Sequence, residues 1–136
     1  MYANDTNNTN RALSKILYKD LSYAVTGVLF STHNELGPYA REKQYGDVTE
    51  RIFKEKHIAY EREKKIGDSG NTLDFIVDGK IGLELKAKRI LTKEDYYQTQ
   101  RYLQETRLKL AFLVNFRDKL IKPKRIVRIE NWKKSN

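Results

Sequence analysis

Apolar residues in the first half of the chain recur at helical spacing. The first such series predicts a helix from Leu17 to about Asn34, because its members share one face of a helix. Its apolar positions are Leu17, Leu21, Ala24, Val25, Val28 and Leu29. Gly37-Pro38 ends this helix, since proline is tolerated in a first turn but not in an interior. A second helix is predicted from about Tyr39 to Lys56. Its apolar stripe is Ala40, Val48, Ile52 and Phe53.

Two runs of alternating apolar and polar residues flank Asp78-Gly79 and predict a β-hairpin. The alternating apolar positions are Leu73, Phe75, Val77, Ile81, Leu83, Leu85 and Ala87. A two-residue loop would place Asp74 opposite Leu83 and mix the two faces. A three-residue loop, with Gly79 in the left-handed region, keeps all seven apolar side chains together. We favour the second register, and a bulge at Gly82 is an alternative way to reset it.

The rest of the chain predicts one further helix and three further strands, which gives the order α-α-β-β-β-α-β-β. Thr92 is a suitable N-cap for the helix, which runs to about Thr106. The strands are 58–66 at an edge, 109–116 mostly buried, and 124–130 at the other edge. We therefore expect an α/β fold with a mixed, mostly antiparallel central sheet of four to five strands flanked by helices. Residues 1–12 read as a flexible arm, 13–131 as a single domain and 132–136 as a basic tail.

The composition narrows the class of protein. A chain of 136 residues that is 39% hydrophobic can build one modest core. The absence of cysteine excludes disulfides, thiolate zinc sites and a cysteine nucleophile. No run approaches the roughly 18 apolar residues of a membrane span, and no apolar stretch resembles a signal peptide. We therefore expect a cytoplasmic protein with no membrane partner.

The charge is uneven along the chain. There are 27 basic and 18 acidic residues, a formal net charge of +9, and 16 of the basic against 8 of the acidic residues lie in 69–136. A one-sided positive field suits a polyanion such as nucleic acid, whose phosphates release counterions on binding. A solvated basic tail is the alternative. The candidate phosphate contacts are Lys88, Arg89, Arg101, Lys122, Lys124 and Arg125.

Three polar residues of the hairpin carry candidate chemistry. In the favoured register Asp74, Glu84 and Lys86 share the face opposite the apolar stripe. The polar face of an antiparallel sheet is often only its solvated side. Here, however, helices are predicted on both faces, and a carboxylate pair beneath a helix is costly unless it binds something. Two carboxylates beside an ammonium group suit Mg²⁺ together with a phosphate substrate.

These residues, Asp74…Glu84-Leu85-Lys86, resemble the D…(D/E)-x-K signature of the PD-(D/E)XK nucleases. Flanking segments in the same order resemble the small GxxExxY-type proteins of the RecB-like branch. The segments are HNELGP at 33–38, EKQY at 42–45, LDF at 73–75, GLELKA at 82–87, QTQRYL at 98–103 and LAFLVNF at 110–116. Leu73 stands in place of the proline of the signature, and Tyr39 in place of the first glycine of G-x-x-E-x-x-Y.

The resemblance implies a restriction-endonuclease-like core and roles for six residues. Asp74 and Glu84 would be metal ligands, and Lys86 would position the attacking water. Glu42 would add a further carboxylate, and Gln98 and Tyr102 would form the Q-x-x-x-Y element of RecB-like nucleases. The implied activity is Mg²⁺- or Mn²⁺-dependent hydrolysis of phosphodiester bonds in nucleic acid, and we favour DNA over RNA as the substrate. The alternative is a nuclease fold that binds nucleic acid or protein without turnover, and a homodimer or a subunit of a larger complex are both open.

Overall fold

The computed structural model describes residues 17–68 and 70–132, and in them the helices and strands follow the predicted order. The helices are α1 (Lys19–Leu36), α2 (Glu42–Glu55) and α3 (Lys93–Thr106). The strands are β1 (Tyr60–Lys65), β2 (Thr72–Val77), β3 (Ile81–Lys86), β4 (Leu110–Asn115) and β5 (Lys124–Val127). The predicted arm at 1–12 and residues 133–136 of the predicted tail lie outside the described residues.

The five strands form one mixed sheet in the order β1-β2-β3-β4-β5. β3 and β4 are parallel, and the other neighbouring pairs are antiparallel. α3 supplies the crossover that a parallel pair requires. The α/β fold with a mixed, mostly antiparallel sheet is therefore confirmed, and β1 and β5 are its edges as predicted.

Helices cover both faces of the sheet. α1 and α2 pack on the face that presents Phe75, Leu83 and Phe112, which belong to the larger core cluster. α3 packs on the opposite face, where Tyr102 joins Ile76 in a smaller cluster. The polar residues of the hairpin thus lie in a sheet with helices on each face, and this makes their burial a question of chemistry.

The hairpin between β2 and β3 has the predicted register. Phe75 is paired with Leu83 and Val77 with Ile81, which leaves a three-residue loop. Gly79 has φ 65°, in the left-handed region as predicted, and Asp78 before it also lies there with φ 52°. The register runs through Gly82 without a bulge, because Ile76 is paired with Gly82.

The prediction that all seven alternating apolar side chains share one face is wrong for Leu73. It packs with Ile76 and Tyr102 on the α3 face, and not with Phe75 and the other apolar residues of the alternating series. The pairing of β1 with β2 skips the position of Glu63, whose φ is 54°. The change of face between Leu73 and Phe75 falls at this position, although the pairs on either side of it keep one register.

The start of α2 also differs from the sequence prediction. The helix begins at Glu42, three residues after the predicted start, and Arg41 is its N-cap in extended conformation. The Gln44 side chain accepts a hydrogen bond from the Arg41 backbone N–H at 2.8 Å, which satisfies the first turn. The loop before the helix is held by Tyr45, whose hydroxyl donates to the Gly37 carbonyl and accepts the Ala40 N–H at 3.1 Å.

Replacing Gly82 by alanine should lower the free energy of unfolding by about 1–3 kcal/mol, the usual cost of overpacking a core. A Cβ at this position would lie 3.0 Å from Leu73 Cδ2 and 3.4 Å from the Ala111 Cβ. Urea unfolding measures the change. Gly27→Ala is the matched control, since nothing lies within 4 Å of its Cβ, and helix propensity should stabilise it by up to about 1 kcal/mol. Equal stability of Gly82→Ala and wild type would contradict the packing.

Candidate active site

The two hairpin carboxylates meet where β2 and β3 part. Backbone pairing of the strands ends at Phe75 and Leu83. Beyond that point Asp74 Oδ2 accepts a hydrogen bond from the Leu85 N–H at 2.7 Å. Glu84 Oε1 accepts one from the Asp74 N–H at 3.2 Å. The side chains thus replace the missing backbone bonds, and this exchange brings the two carboxyl groups to one place.

Lys86 completes the cluster from the next position on the same face of β3. Its Nζ lies 3.6 Å from Glu84 Oε2. The Glu84 side chain is almost fully buried and the Lys86 side chain is about four-fifths buried. The favoured register predicts that these three residues lie together, and in the structure hydrogen bonds join Asp74 to the strand that carries Glu84 and Lys86.

Burial controls the electrostatics of the carboxylate pair. The pKa of Glu84 is raised to about 8, chiefly by burial and also by the nearby charge of Asp74, while the charge of Lys86 opposes both effects. Burial also raises the pKa of Asp74. The hydrogen bond from the Leu85 N–H and the charges of Lys86 and Arg62 favour the ionised form, but they offset this rise only in part. The pair therefore lacks enough positive charge from the protein to stay fully ionised at neutral pH.

Glu42 lies near this pair but not in a common ligand set with it. Burial raises the pKa of Glu42, and the charges of Lys86 and Asp74 act on it in opposite directions. Glu42 and Asp74 line the same cavity, which has a volume of about 300 Å³. Within residues 17–68 and 70–132, no three acidic or histidine side chains are grouped closely enough to hold a metal ion.

α3 carries the two other predicted site residues on one face. Tyr102 is buried, and burial together with the charges of Glu84 and Asp74 raises its pKa to about 12. Its phenol therefore lies within electrostatic range of the carboxylate pair. Gln98, one turn earlier, is half-buried. The i, i+4 spacing gives both side chains the same direction along the helix.

The six basic residues predicted to contact phosphates fall into two groups. Three of them are exposed, namely Arg89, Lys122 and Lys124. The strand register places Lys124 beside Leu113, which is itself paired with Glu84. This cation is thus level with the carboxylate pair, two strands away.

The other three basic residues are engaged within the protein. Lys88 Nζ lies 2.9 and 3.1 Å from the two carboxylate oxygens of Asp95. Arg101 pairs with Glu94 at 3.2 Å. The Arg125 guanidinium lies 5.1 Å from the Phe112 ring centroid, and the Phe112 ring belongs to the core on the α1 and α2 face. The structure therefore separates Arg125 from the carboxylate pair, and it gives Lys88 and Arg101 protein partners.

The comparisons with known proteins add one finding to this geometry. The family model described as the PD-(D/E)XK nuclease superfamily matches residues 19–129. The chain belongs to this superfamily. No curated protein and no solved structure matches it. The five-stranded sheet with flanking helices is consistent with the restriction-endonuclease-like fold of PD-(D/E)XK proteins, and the closer resemblance to GxxExxY-type and RecB-like proteins stays a prediction.

No helix in the described part of the chain is long and apolar enough to cross a membrane.

The donor set of the hairpin fits the divalent metal that PD-(D/E)XK nucleases typically use. Asp74 and Glu84 offer carboxylate oxygens, the ligands that Mg²⁺ prefers alongside water and phosphate oxygens. Their raised pKa values reflect a shortage of positive charge around a buried pair. A divalent cation would supply that charge, so these two residues are suited to hold one.

Sequence reasoning missed Arg62, which forms the wall of the cavity. Its Nη1 lies 2.8 Å from Asp47 Oδ1 and 3.0 Å from Glu50 Oε1, so it joins β1 to α2. A Cβ at Gly46 would lie 2.6 Å from Arg62 Nη2. The glycine inside an otherwise good helix was the available signal, because it indicates a close approach by another group.

Asn115 was noticed in the sequence only as part of a matching segment, and it holds the end of β3. Its Oδ1 accepts the Lys88 N–H at 3.0 Å, and its Nδ2 donates to the Lys88 carbonyl at 2.7 Å. The amide is buried and extends the pairing of Lys86 with Asn115 by one more step. A polar residue at the end of the apolar run LAFLVN was the signal for this role.

Asn115→Ala should lower the free energy of unfolding by about 1–3 kcal/mol, because it leaves the Lys88 backbone N–H and C=O without partners. Chemical denaturation measures the loss. Asn34→Ala is the control, since Asn34 is exposed on α1 and surface substitutions usually stay within about 0.5 kcal/mol. Equal stability of the two variants would contradict the role of the Asn115 amide.

Proposed function

We propose that this protein is a metal-dependent nuclease that hydrolyses phosphodiester bonds at the cluster of Asp74, Glu84 and Lys86, with DNA as the first substrate to test. The supporting observation is the exchange of hydrogen bonds between Asp74 and the strand that carries Glu84, with Lys86 at 3.6 Å. Membership of the PD-(D/E)XK superfamily agrees with this chemistry.

Each residue of the cluster has a distinct task in this proposal. Asp74 and Glu84 would hold Mg²⁺ or Mn²⁺, which when bound polarises a phosphoryl oxygen and lowers the pKa of its water. The Lys86 ammonium orients the attacking water and offsets negative charge that develops on the phosphate. Tyr102 and Gln98 would face the substrate from α3, and Glu42, which lines the same cavity as Asp74, would face it from the start of α2.

Exposed cations near the cluster would hold the nucleic-acid backbone. Arg89 follows the end of β3, and Lys124 is level with Glu84 in the sheet. Lys122 precedes Lys124 and is also exposed. Such contacts position a substrate without reading its sequence, and binding should weaken steeply with added salt.

The direct test is cleavage of labelled single- and double-stranded DNA and RNA in Mg²⁺, in Mn²⁺ and in EDTA. We expect cleavage with metal and none in EDTA. Lys86→Gln should lose the activity, and Lys80→Gln should keep it, because Lys80 is an exposed lysine at the hairpin turn. Cleavage that persists in EDTA, or that survives Lys86→Gln, would contradict the proposed site.

The second candidate is a nucleic-acid-binding module that keeps the nuclease fold without turnover. The observation that favours it is the lack, in the described part of the chain, of three acidic or histidine side chains grouped closely enough to hold a metal ion. Such a module would bind nucleic acid in a salt-sensitive way, equally well in EDTA and in Mg²⁺. Its binding would be unchanged in Lys86→Gln, and no condition would give cleavage.

A further inference from the structure

An exposed aromatic ring and a guanidinium group form a pair outside the carboxylate cluster. Tyr39, in the loop between α1 and α2, is 82% exposed. The Arg117 guanidinium lies 5.2 Å from the centroid of its ring. Arg117 is itself exposed, just after the end of β4. An exposed ring next to a cation is the combination on which nucleic-acid bases stack.

Buried aromatic rings anchor the loops that carry Tyr39 and Arg117. The Tyr45 hydroxyl bonds to Gly37 and Ala40, on either side of Tyr39. The Tyr45 ring stacks on Phe116 with a centroid distance of 4.2 Å and an interplanar angle of 8°. Both of these rings are fully buried, so the loops that carry Tyr39 and Arg117 are anchored on a common stack.

The following turn is anchored as well. His33 Nε2 lies 2.8 Å from the carbonyl oxygen of Asp118, which ties the residue after Arg117 to α1. The His33 ring also stacks with Phe116 at 6.2 Å between centroids. The Arg117 backbone is thus fixed from both sides, which keeps its side chain within reach of the Tyr39 ring.

The pair lies at the same end of the sheet as the carboxylate cluster. Tyr39 is three residues before Glu42, a chain distance of at most about 10 Å. Arg117 is two residues after Asn115, which is paired with Lys86. Exposed Arg41 and Lys119 adjoin the pair along the chain. A strand whose phosphates lay near the cluster could therefore place a neighbouring base on Tyr39.

We propose that Tyr39 and Arg117 form a subsite that stacks an unpaired base of a single-stranded nucleic acid next to the cleavage site. The proposal rests on the proposed function and names its substrate class. A base inside a duplex is stacked on both neighbours and cannot cover an external ring, whereas an unpaired base can. Stacking does not read the identity of the base, so the subsite recognises single strands without a sequence preference.

The test measures equilibrium binding in EDTA, where no metal-dependent cleavage competes. The probes are a fluorescein-labelled single-stranded DNA of mixed sequence and the blunt duplex of the same sequence. Tyr39→Ala should weaken binding of the single strand about 5- to 150-fold, the range found for loss of one base–aromatic stack, and leave duplex binding unchanged. Tyr39→Phe keeps the ring and should bind like wild type.

Tyr23→Ala is the matched control. Tyr23 is 84% exposed and lies ten residues before His33 on α1, about 15 Å along the helix. It should bind both probes like wild type. A single strand with 2-aminopurine in place of one adenine gives a second readout, since stacking on Tyr39 should quench its fluorescence in wild type but not in Tyr39→Ala.

Three results would overturn the subsite: no loss of binding in Tyr39→Ala, an equal loss for single strand and duplex, or the same loss in Tyr23→Ala. None of these results bears on cleavage by the carboxylate cluster. Conversely, selective loss of single-strand binding in Tyr39→Ala would stand even if no substrate were cleaved in Mg²⁺ or Mn²⁺. The failure of this inference and the failure of the proposed function are therefore distinguishable.

Discussion

Glu84→Gln should reduce metal-dependent cleavage by at least about 10³-fold, while the metal-free protein remains at least as stable as wild type at about pH 8. The amide has the shape of the carboxyl group but is a much weaker metal ligand. Lewis-acid stabilisation by a bound metal contributes several kcal/mol to a hydrolytic transition state, and about 4 kcal/mol corresponds to a factor of about 10³ in rate.

Retained stability is the second half of this expected result. The amide oxygen of the glutamine can still accept the Asp74 N–H that Glu84 Oε1 accepts at 3.2 Å. A neutral group at this buried position also avoids the cost of ionisation, which is what raises the pKa of Glu84 to about 8. Most substitutions that remove a buried hydrogen-bonded group destabilise a protein, so this combination of outcomes is specific to a functional carboxylate.

Single-turnover cleavage and thermal unfolding of the same preparations measure the two halves. Glu61→Gln is the matched control, because Glu61 lies on β1 with a side chain that is 58% exposed. It should keep both activity and stability. If Glu84→Gln cleaved at more than about a tenth of the wild-type rate, a loss of only about 1.4 kcal/mol in transition-state stabilisation, Glu84 would not be a metal ligand. A large loss of stability would assign it a structural role instead.

The helices and strands could be predicted from the sequence, because the residues that determine where they begin and end are close together along the chain. Asp78-Gly79 between two alternating runs fixes the hairpin, and Thr92 marks the start of α3 within one residue. The face of the sheet on which Leu73 lies could not be predicted. Leu73 packs on the face opposite to that of Phe75, two residues later, and no pattern within β2 reports this change.

The residues of the candidate site also divide into those that the sequence predicts and those that only the tertiary fold brings together. Glu84 and Lys86 share a face by their i, i+2 spacing alone, whereas Asp74 is joined to them by side-chain hydrogen bonds where β2 and β3 part. The partners of Arg62 and Asn115 lie 12 to 27 residues away along the chain, so only the tertiary fold brings them together. Lys88 was predicted to contact phosphates, but its nearest partner is Asp95, at the start of the helix that follows.

In the metal-free protein, the free energy of unfolding should fall as the pH rises from about 5 to about 8. Burial raises the pKa of Glu84 to about 8 in the folded state, whereas an exposed glutamate titrates near about 4.3. Between these values the folded protein keeps a proton that the unfolded chain has released, so each rise in pH favours the unfolded chain. The slope for one such group is at most roughly 1.4 kcal/mol per pH unit, and the raised pKa of Asp74 acts in the same direction.

Mg²⁺ should reverse this loss, and most strongly at the high end of the pH range. A ligand at 100 times its dissociation constant stabilises the folded state by about 2.7 kcal/mol. At about pH 5.5 the metal must displace the proton on Glu84, so the same concentration should stabilise the protein less. Subtracting the stability-against-pH curve of Glu84→Gln from that of wild type separates the titration of Glu84 from that of the histidines. The curve of Glu61→Gln should follow that of wild type. A stability that rises with pH in EDTA relative to Glu84→Gln would contradict the buried carboxylate pair, and equal stabilisation by Mg²⁺ at both pH values would contradict metal binding there.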